Sequence, residues 1–495
     1  MKNIIIRDLA TKKLCTLFIS AFSLTVVAQS SFDDFVKNQN CKFDEFKDSK
    51  QVEWDAYRKR INDEYAEFMQ QKWTKYESHA AKSKPEDKKP PTPIVKKNHE
   101  PKRTEEIQFK SVVKPVPYEA PHPIVPISEP SHKSINGLQF MFHGTPCEVH
   151  LTDAHKYSLS DATEHSASNM WYHMSNPIYD DVLADCLQLR DELKLADWGY
   201  INLVQTMTRS FFGKNSNEAI LMQVYLLAQS GYAARIASTG EKWVLLVPFD
   251  ADIYDYSYIN HDGLSYYILD KDKEARSFYV YDNTFQGEKV PSLRMTESPR
   301  LSFSATNKRT LTSTRWPSMT VSITGNGNLI SFYNEYPLSS SWECYSTASL
   351  SKEIKMSLFP MLRREIAGKS EYDAANMLLN FVQTAFNYET DGEQFGYERP
   401  LFGDETLYYP YSDCEDRSIL YSVLVRELLN LEVVLLDYPG HVATAVAFRD
   451  NQPHGYYFNC DDKIYTICDP TYINADAGEC MPKYSHTPAQ IIYIQ

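Results

Sequence analysis

Three residues near the C-terminus, Cys414, His441 and Asp469, restrict the possible folds more than any other feature of the chain. Each stands at the end of an element that its neighbours define. Asp413-Cys414-Glu415-Asp416 opens an apolar helical pattern that continues through Ile419 and Leu420. Pro439-Gly440-His441 turns into the apolar run Val442-Ala443-Thr444-Ala445-Val446. Tyr465-Thr466-Ile467-Cys468 reads as a second strand and closes on Asp469-Pro470-Thr471-Tyr472. A helix start, a strand start and the end of the next strand can meet at one end of a sheet in a mixed α and β unit. The meeting has a chemical use. The thiolate is the nucleophile, and a helix N-terminus and a neighbouring imidazolium both favour it. An aspartate behind the histidine fixes its tautomer and steadies its charge.

The rest of the chain must be compatible with that unit. Its 495 residues are enough for two or three domains, and its 43% apolar and 23% charged composition is that of a globular protein. A net charge of −14, with no basic patch carrying interleaved aromatics, excludes a nucleic-acid binder. Lys2, Arg7, Lys12 and Lys13 precede an apolar run from Leu14 to Ala28, which predicts a signal peptide over residues 1–28. The expected location is therefore the periplasm or the exterior, with no membrane span once the signal is cleaved. An uncleaved anchor is the lesser alternative. Eight of nine cysteines lie beyond that segment. Export permits disulfides, and Cys460, Cys468 and Cys480 are close enough to invite one. Their spacing is not a usual zinc pattern, so no metal and no cofactor is expected.

Composition then divides the chain. Residues 29–81 predict an amphipathic helical segment. Its stripe of Trp54, Tyr57, Ile61, Tyr65, Phe68, Met69, Trp73 and Tyr76 follows a helical period. Such a stripe packs on its own body or on a second copy, or else docks a partner through residues 51–79. Residues 82–133 predict a Pro-rich linker, since 11 of the 26 prolines fall between Lys82 and Pro130. This tether is expected to hold the body away from the helix. The body begins near Ile135, with Leu138–Phe142 as its first strand.

The body contains a faint repeat. Leu203-Val204-Gln205-Thr206 parallels Phe381-Val382-Gln383-Thr384, and Asn217–Met222 parallels Asp416–Tyr421. Lys242–Phe249 parallels His441–Phe448, and Tyr279–Phe285 parallels Thr466–Tyr472. The pattern predicts a duplicated α+β core, with a degenerate domain at 134–290 and an intact one at 351–495. A β-rich connector is expected at 291–350, with Asn326-Gly327 as a hairpin turn before Leu329–Tyr333. In the first copy the cysteine position falls on Asn215 or Ser216, the histidine position on Lys242 and the aspartate position on Asp282. That set cannot supply a thiolate–imidazole pair.

The second copy resembles the transglutaminase-like superfamily, whose core is shared with papain-like cysteine peptidases. The resemblance is carried by Asp413-Cys414-Glu415-Asp416, Gly440-His441-Val442-Ala443 and Asp469-Pro470-Thr471-Tyr472, over roughly residues 365–480. The triad residues are separated by 27 and then 28 positions. The resemblance implies that Cys414, His441 and Asp469 form a catalytic triad for acyl transfer from an amide in a protein or peptide substrate. Water as acceptor makes a peptidase or deamidase, and an amine makes a crosslink. Half of an oxyanion hole would come from the Cys414 N–H. The other donor is left among Gln383, Tyr388, Tyr408, Tyr409 and Tyr411. Glu415 and Asp416 are read as stabilising the helix start. The segment Thr390–Tyr411, rich in tyrosine and acid, is either a cleft wall or an ordered surface loop. The contrasting expectation is a non-catalytic binding or scaffold protein that uses the degenerate domain and the N-terminal helix.

Overall fold

The computed structural model describes residues 27–90, 92–97, 103–109, 111–114, 117–123, 137–270 and 275–494. The signal-peptide expectation falls almost wholly on residues 1–26, outside the described residues. The chain divides into two units, Met1–Arg60 and Ile61–Gln495. The described part of the first belongs to the helix Val27–Gln70, which carries an exposed Phe43, Phe46 and Trp54. Trp54 and Tyr57 meet edge to face there, with ring centroids 6.0 Å apart. Among the described residues no helix is long and apolar enough to cross a membrane.

The second unit mixes α and β structure, as the sequence requires. Its early strands are β1 (Thr74–Glu77), β2 (Glu105–Glu106), β3 (Ser111–Val113), β4 (Leu138–Phe142) and β5 (Thr145–Val149). Then come β6 (Arg235–Ser238), β7 (Trp243–Pro248), β8 (Tyr258–His261), β9 (Leu264–Ile268) and β10 (Ser277–Val280). The remainder are β11 (Arg309–Thr312), β12 (Thr320–Ile323), β13 (Glu432–Tyr438), β14 (His441–Ala447), β15 (Tyr456–Cys460), β16 (Lys463–Cys468) and β17 (Gln490–Tyr493).

Two large sheets result. The first has the order β1-β10-β6-β7-β9-β8 and the second the order β2-β15-β16-β14-β13-β17-β3. A buried helix precedes each run of strands: Asn217–Gln229 before β6 and Cys414–Leu429 before β13. Read outward, β8-β9-β7-β6-β10 and β15-β16-β14-β13-β17 have the same connectivity. Both helices are buried over most of their length, residues 219–229 of the first and 414–425 of the second, and the second takes its polar residues Glu415, Asp416, Arg417 and Ser418 inside with it. Val423, Leu424 and Leu420 pack with Leu358, Leu378 and Val382 of neighbouring helices.

Two expectations change, those for the Pro-rich segment and the connector, while one alternative for the aromatic stripe holds: its last part packs on its own body, where Ile61, Tyr65, Met69 and Trp73 are buried. Tyr65 Oη donates to Tyr281 Oη at 2.8 Å, and Trp73 packs edge to face on Tyr281. The Pro-rich segment does not stand the body off. Parts of it add the edge strands β2 and β3 in parallel to the second sheet, where exposed edges offer unpaired N–H and C=O groups. The 291–350 connector is only partly β. After the β11–β12 hairpin, Gly327–Asn334 is helical, because Asn326 Oδ1 accepts from the Asn328 N–H and caps a helix instead of closing a hairpin. Leu329, Ile330, Phe332 and Tyr333 are buried from that helix.

Candidate functional site

Cys414 is the first residue of its helix, with Asp413 as N-cap in extended conformation. The Asp413 N–H donates to Asp416 Oδ2 at 3.3 Å, so the acidic residue three places on closes the first turn. One helical turn then grips one residue of β14. The Val442 N–H donates to Cys414 Sγ at 3.3 Å, and Ser418 Oγ donates to the Val442 carbonyl at 2.9 Å. Val442 follows His441 directly. The spacing of four between Cys414 and Ser418 is what lets both reach it.

His441 opens β14 through a two-residue turn. Tyr438 pairs with His441 across Pro439-Gly440, and Gly440 has φ of 73°. A side chain is strained in that left-handed region. A Cβ there would also lie 3.1 Å from the Lys88 carbonyl oxygen. The imidazole is buried and stacked against Tyr484, with ring centroids 4.7 Å apart. Its Nε2 lies 2.9 Å from Asp469 Oδ2. That leaves Nδ1 as the nitrogen available to Cys414.

Asp469 follows β16, whose Cys468 faces Thr444 of β14. Its second oxygen accepts the N–H groups of Thr471 (2.9 Å) and Tyr472 (3.1 Å), an aspartate turn that the Asp-Pro-Thr sequence favours. Gln383 braces this loop. Its amide nitrogen donates to the carbonyls of Asp469, Tyr472 and Ala475, and its oxygen accepts from the Asn474 N–H. With all those bonds made, the Gln383 amide holds the Asp469 loop and has no N–H left for another acceptor. Tyr388 is placed differently. Its hydroxyl donates to the Pro90 carbonyl at 2.8 Å, and Cys414, Asp413 and Glu415 all act on it electrostatically. Tyr409 instead donates to Asn334, away from this group.

The structure thus joins His441 to Asp469 directly and Cys414 to the His441 strand through Val442. The thiol is fully buried and points to acid, with Sγ 3.4 Å from Glu415 Oε2. Burial first, then Glu415, pushes the thiol well above its ordinary range, against a lowering by Lys89. In this arrangement the cysteine is a protonated thiol.

Around it lies a carboxylate cluster that the sequence did not announce. Asp391, Glu398, Asp413, Glu415 and Asp416 come from separate points of residues 391–416. Their hub is a lysine of the Pro-rich segment. Lys89 Nζ lies 2.6 Å from Glu398, 2.9 Å from Asp413 and 3.7 Å from Asp391, and it also contacts Glu415. The insertion Thr390–Tyr411 therefore brings carboxylates to the site more than tyrosines. Burial pushes Glu415 up to about 7 despite Lys89, and burial with Asp413 pushes Asp416 up to about 8. The reading of these two acids as mere helix-start charges is too narrow.

A helix-to-strand contact of the same form occurs at the other sheet. The Trp243 N–H donates to Asn217 Oδ1 at 2.9 Å, as Val442 does to Cys414. Asn217 is the first residue of its helix and takes the place expected for Asn215 or Ser216; Ser216 is the N-cap instead. Lys242 precedes Trp243 as His441 precedes Val442. The Leu269 N–H donates to the Leu245 carbonyl, which brings Asp270 to the place of Asp469. Asp282, the residue expected there, follows β10, which pairs with β6 and not β7. Its carboxylate accepts from Thr74 Oγ1 and Tyr76 Oη. The resemblance between Tyr279–Phe285 and Thr466–Tyr472 misleads because both are short aromatic strands ending in aspartate.

Among the described residues the eight cysteines are free, so the bridge invited by Cys460, Cys468 and Cys480 is not formed. Cys460 accepts from Tyr493 Oη, while Cys468 and Cys480 point to backbone carbonyls. A scan of family models, a search of curated proteins and a search of solved structures each found nothing that matches this chain.

Proposed function

We propose that the chain is an exported thiol enzyme that cleaves or transfers an amide acyl group of a protein or peptide, with Cys414 as nucleophile, His441 as base and acid, and Asp469 as the residue that orients His441. The supporting observation is the joint one of Cys414 gripping the Val442 N–H while the adjacent His441 holds Asp469 through Nε2. In the proposed reaction His441 Nδ1 takes the thiol proton and the thiolate attacks the amide carbonyl carbon. The tetrahedral oxyanion is met by the Cys414 N–H, and by the Tyr388 hydroxyl once the Pro90 carbonyl to which it donates has moved away. The imidazolium then protonates the leaving amine as the C–N bond breaks and a thioester forms. Water or a second amine attacks the thioester, His441 accepts its proton, and the thiol is released.

A transglutaminase-like, duplicated core is part of the same reading. Its support is the shared strand connectivity of the two sheets and the matching Asn217–Trp243 and Cys414–Val442 contacts. Asn217, Lys242 and Asp270 would then mark the first copy as a pseudoenzyme domain. The export assignment rests on the basic and apolar N-terminal sequence.

A non-catalytic scaffold is the second reading, and one observation favours it: the buried thiol donates to Glu415 rather than to His441. The deciding experiment is turnover of a peptide library with amine donors, together with thiol labelling followed at Cys414. Turnover abolished by Cys414→Ala supports the enzyme. Absence of turnover, with Cys414 labelling no more pH-dependent than that of exposed Cys41, supports the scaffold.

A further inference from the structure

We propose that Asp391, Glu398, Asp413 and Glu415 form a recognition subsite for the lysine side chain of an extended polypeptide, and that Lys89 is its built-in occupant. The assignment of this subsite to a substrate rests on the enzyme reading above, but the pocket itself is defined by its own geometry.

Residues 85–90 and 92–96 run along the site as a strap held by backbone and side chains alike: Asp87 Oδ2 accepts from the Gly392 N–H, and Lys96 Nζ lies 2.6 Å from Glu479. The Pro85 carbonyl accepts from the Glu398 N–H, and the Pro90 carbonyl accepts from Tyr388 Oη. The Ile94 carbonyl accepts from the Ile473 N–H, and the Lys96 N–H donates back to the Ile473 carbonyl. Main-chain bonds of this kind hold an extended peptide with little regard to its side chains, and pockets supply the selection. Lys89 is the side chain that enters a pocket deeply. It is 5% exposed, against 0% for Asp413 and Glu415.

The pocket is built for a cation on a flexible stem. Four carboxylates face one ammonium, an excess that is costly to bury unless the cation is well held. Asp413 Oδ1 is buried and has no partner, so the pocket has acceptor capacity that Lys89 leaves unused. Burial works against the charge on Lys89, but Glu415 and Asp413 outweigh it and hold the amine charged, well above the ordinary lysine range. A protonated amine is not a nucleophile, so the subsite reads lysine as a cation and does not present it as an acyl acceptor. With the strap in place, Lys88 also crowds Gly440, next to His441. The ligand class is therefore a lysine-bearing, extended chain that takes the place of residues 85–96.

The test uses the full chain and a neutral thiol alkylator, with modification followed at Cys414 by peptide mass. Lys89→Ala removes a cation that favours the thiolate, which slows alkylation, but it also frees the strap, and the net Cys414 alkylation rate should rise about tenfold, the equivalent of about 1.4 kcal/mol. A synthetic peptide of residues 84–97 should bind this variant and restore protection. The same peptide with alanine or acetyl-lysine at position 89 should do neither. Equal protection by all three peptides would overturn the subsite. So would protection by calcium ions in place of the peptide, since these carboxylates also have metal-ligand spacing. Should Lys89→Ala not fold, Glu398→Gln with the native strap should still accelerate alkylation, and an unchanged rate there would overturn the proposal. Peptide anisotropy on the Lys89→Ala, Cys414→Ala double variant separates the two readings. Lysine-dependent binding there upholds the subsite even if turnover is never found, and its loss removes the subsite even if turnover is found.

Discussion

At the scale of single residues, the proposed chemistry depends on a cysteine whose surroundings favour the thiol. Cys414→Ala removes a sulfur that fills space and accepts the Val442 N–H. A net backbone hydrogen bond is worth about 1 kcal/mol, so the variant should fold with a modestly lowered melting temperature. Its turnover should vanish, and measurable turnover in the folded variant would end the proposed role. His441→Ala should also abolish turnover, because no other imidazole takes the Asp469 bond. Asp469→Asn should retain a small fraction. An asparagine oxygen still accepts the Thr471 and Tyr472 N–H groups, so the turn survives, while the charge that steadies imidazolium is lost. Rate measurements on the two variants check this, and equal mild effects would count against the triad.

Elements explain which parts of the site are legible in the sequence. The Cys414 helix, the His441 hairpin and the Asp469 turn are each local. An N-cap aspartate, a Pro-Gly turn and an Asp-Pro-Thr turn carry their own signals, so the sequence alone places these three residues at element ends. It does not place Gln383, because the four backbone partners of that side chain lie 86 to 92 residues away in the chain and only Asn380 is local. Asn326-Gly327 is ambiguous for a related reason: the same pair starts a helix or turns a hairpin, and the burial of Leu329 and Phe332 decides. Gln383→Ala tests the brace. Its loss leaves three carbonyls and one N–H of the Asp469 loop without their partner, at about 2–4 kcal/mol of stability from hydrogen bonds worth about 1 kcal/mol each. The loop positions Asp469 but touches no substrate, so kcat should fall while KM holds. Steady-state kinetics on the folded variant, with urea denaturation alongside, check both. A raised KM at unchanged kcat would place Gln383 in the substrate cleft instead.

The molecule as a whole closes its site with chain from far away. Residues 85–90 and 92–96 and the strands β2 and β3 come from the stretch that composition marks as linker, and proline content cannot tell a free tether from a strap held against a surface. The cost of that closure is a buried acid cluster, and its pH dependence has a definite sign. Burial, then Asp413, pushes Asp416 up to about 8, far above the value of about 3.9 for an unfolded aspartate. The folded chain therefore keeps a proton that the unfolded chain has released. Stability from this group is full below about pH 4 and declines until about pH 8, where both states are ionised. Glu415, at about 7, acts in the same direction, as do Asp391, Asp413 and Glu398. His261, lowered chiefly by burial, opposes them at and below about pH 6.5, the ordinary histidine value. Lys89 and Arg417 titrate above the range that matters. Buried Asp404, pushed up to about 6, and Asp197, Glu405 and Glu343, raised by burial, add to the same trend, so unfolding free energy should fall from pH 6.5 to 8 and the Asp416 share is read by difference. In Asp416→Asn the Leu401 N–H keeps an oxygen acceptor, so the fold should persist while part of that slope disappears. Urea denaturation at four pH values across the window, with a constant m-value, measures it. A slope as steep in Asp416→Asn as in the native chain would mean that Asp416 is ionised in the fold, and that the cluster holds more charge than one lysine balances.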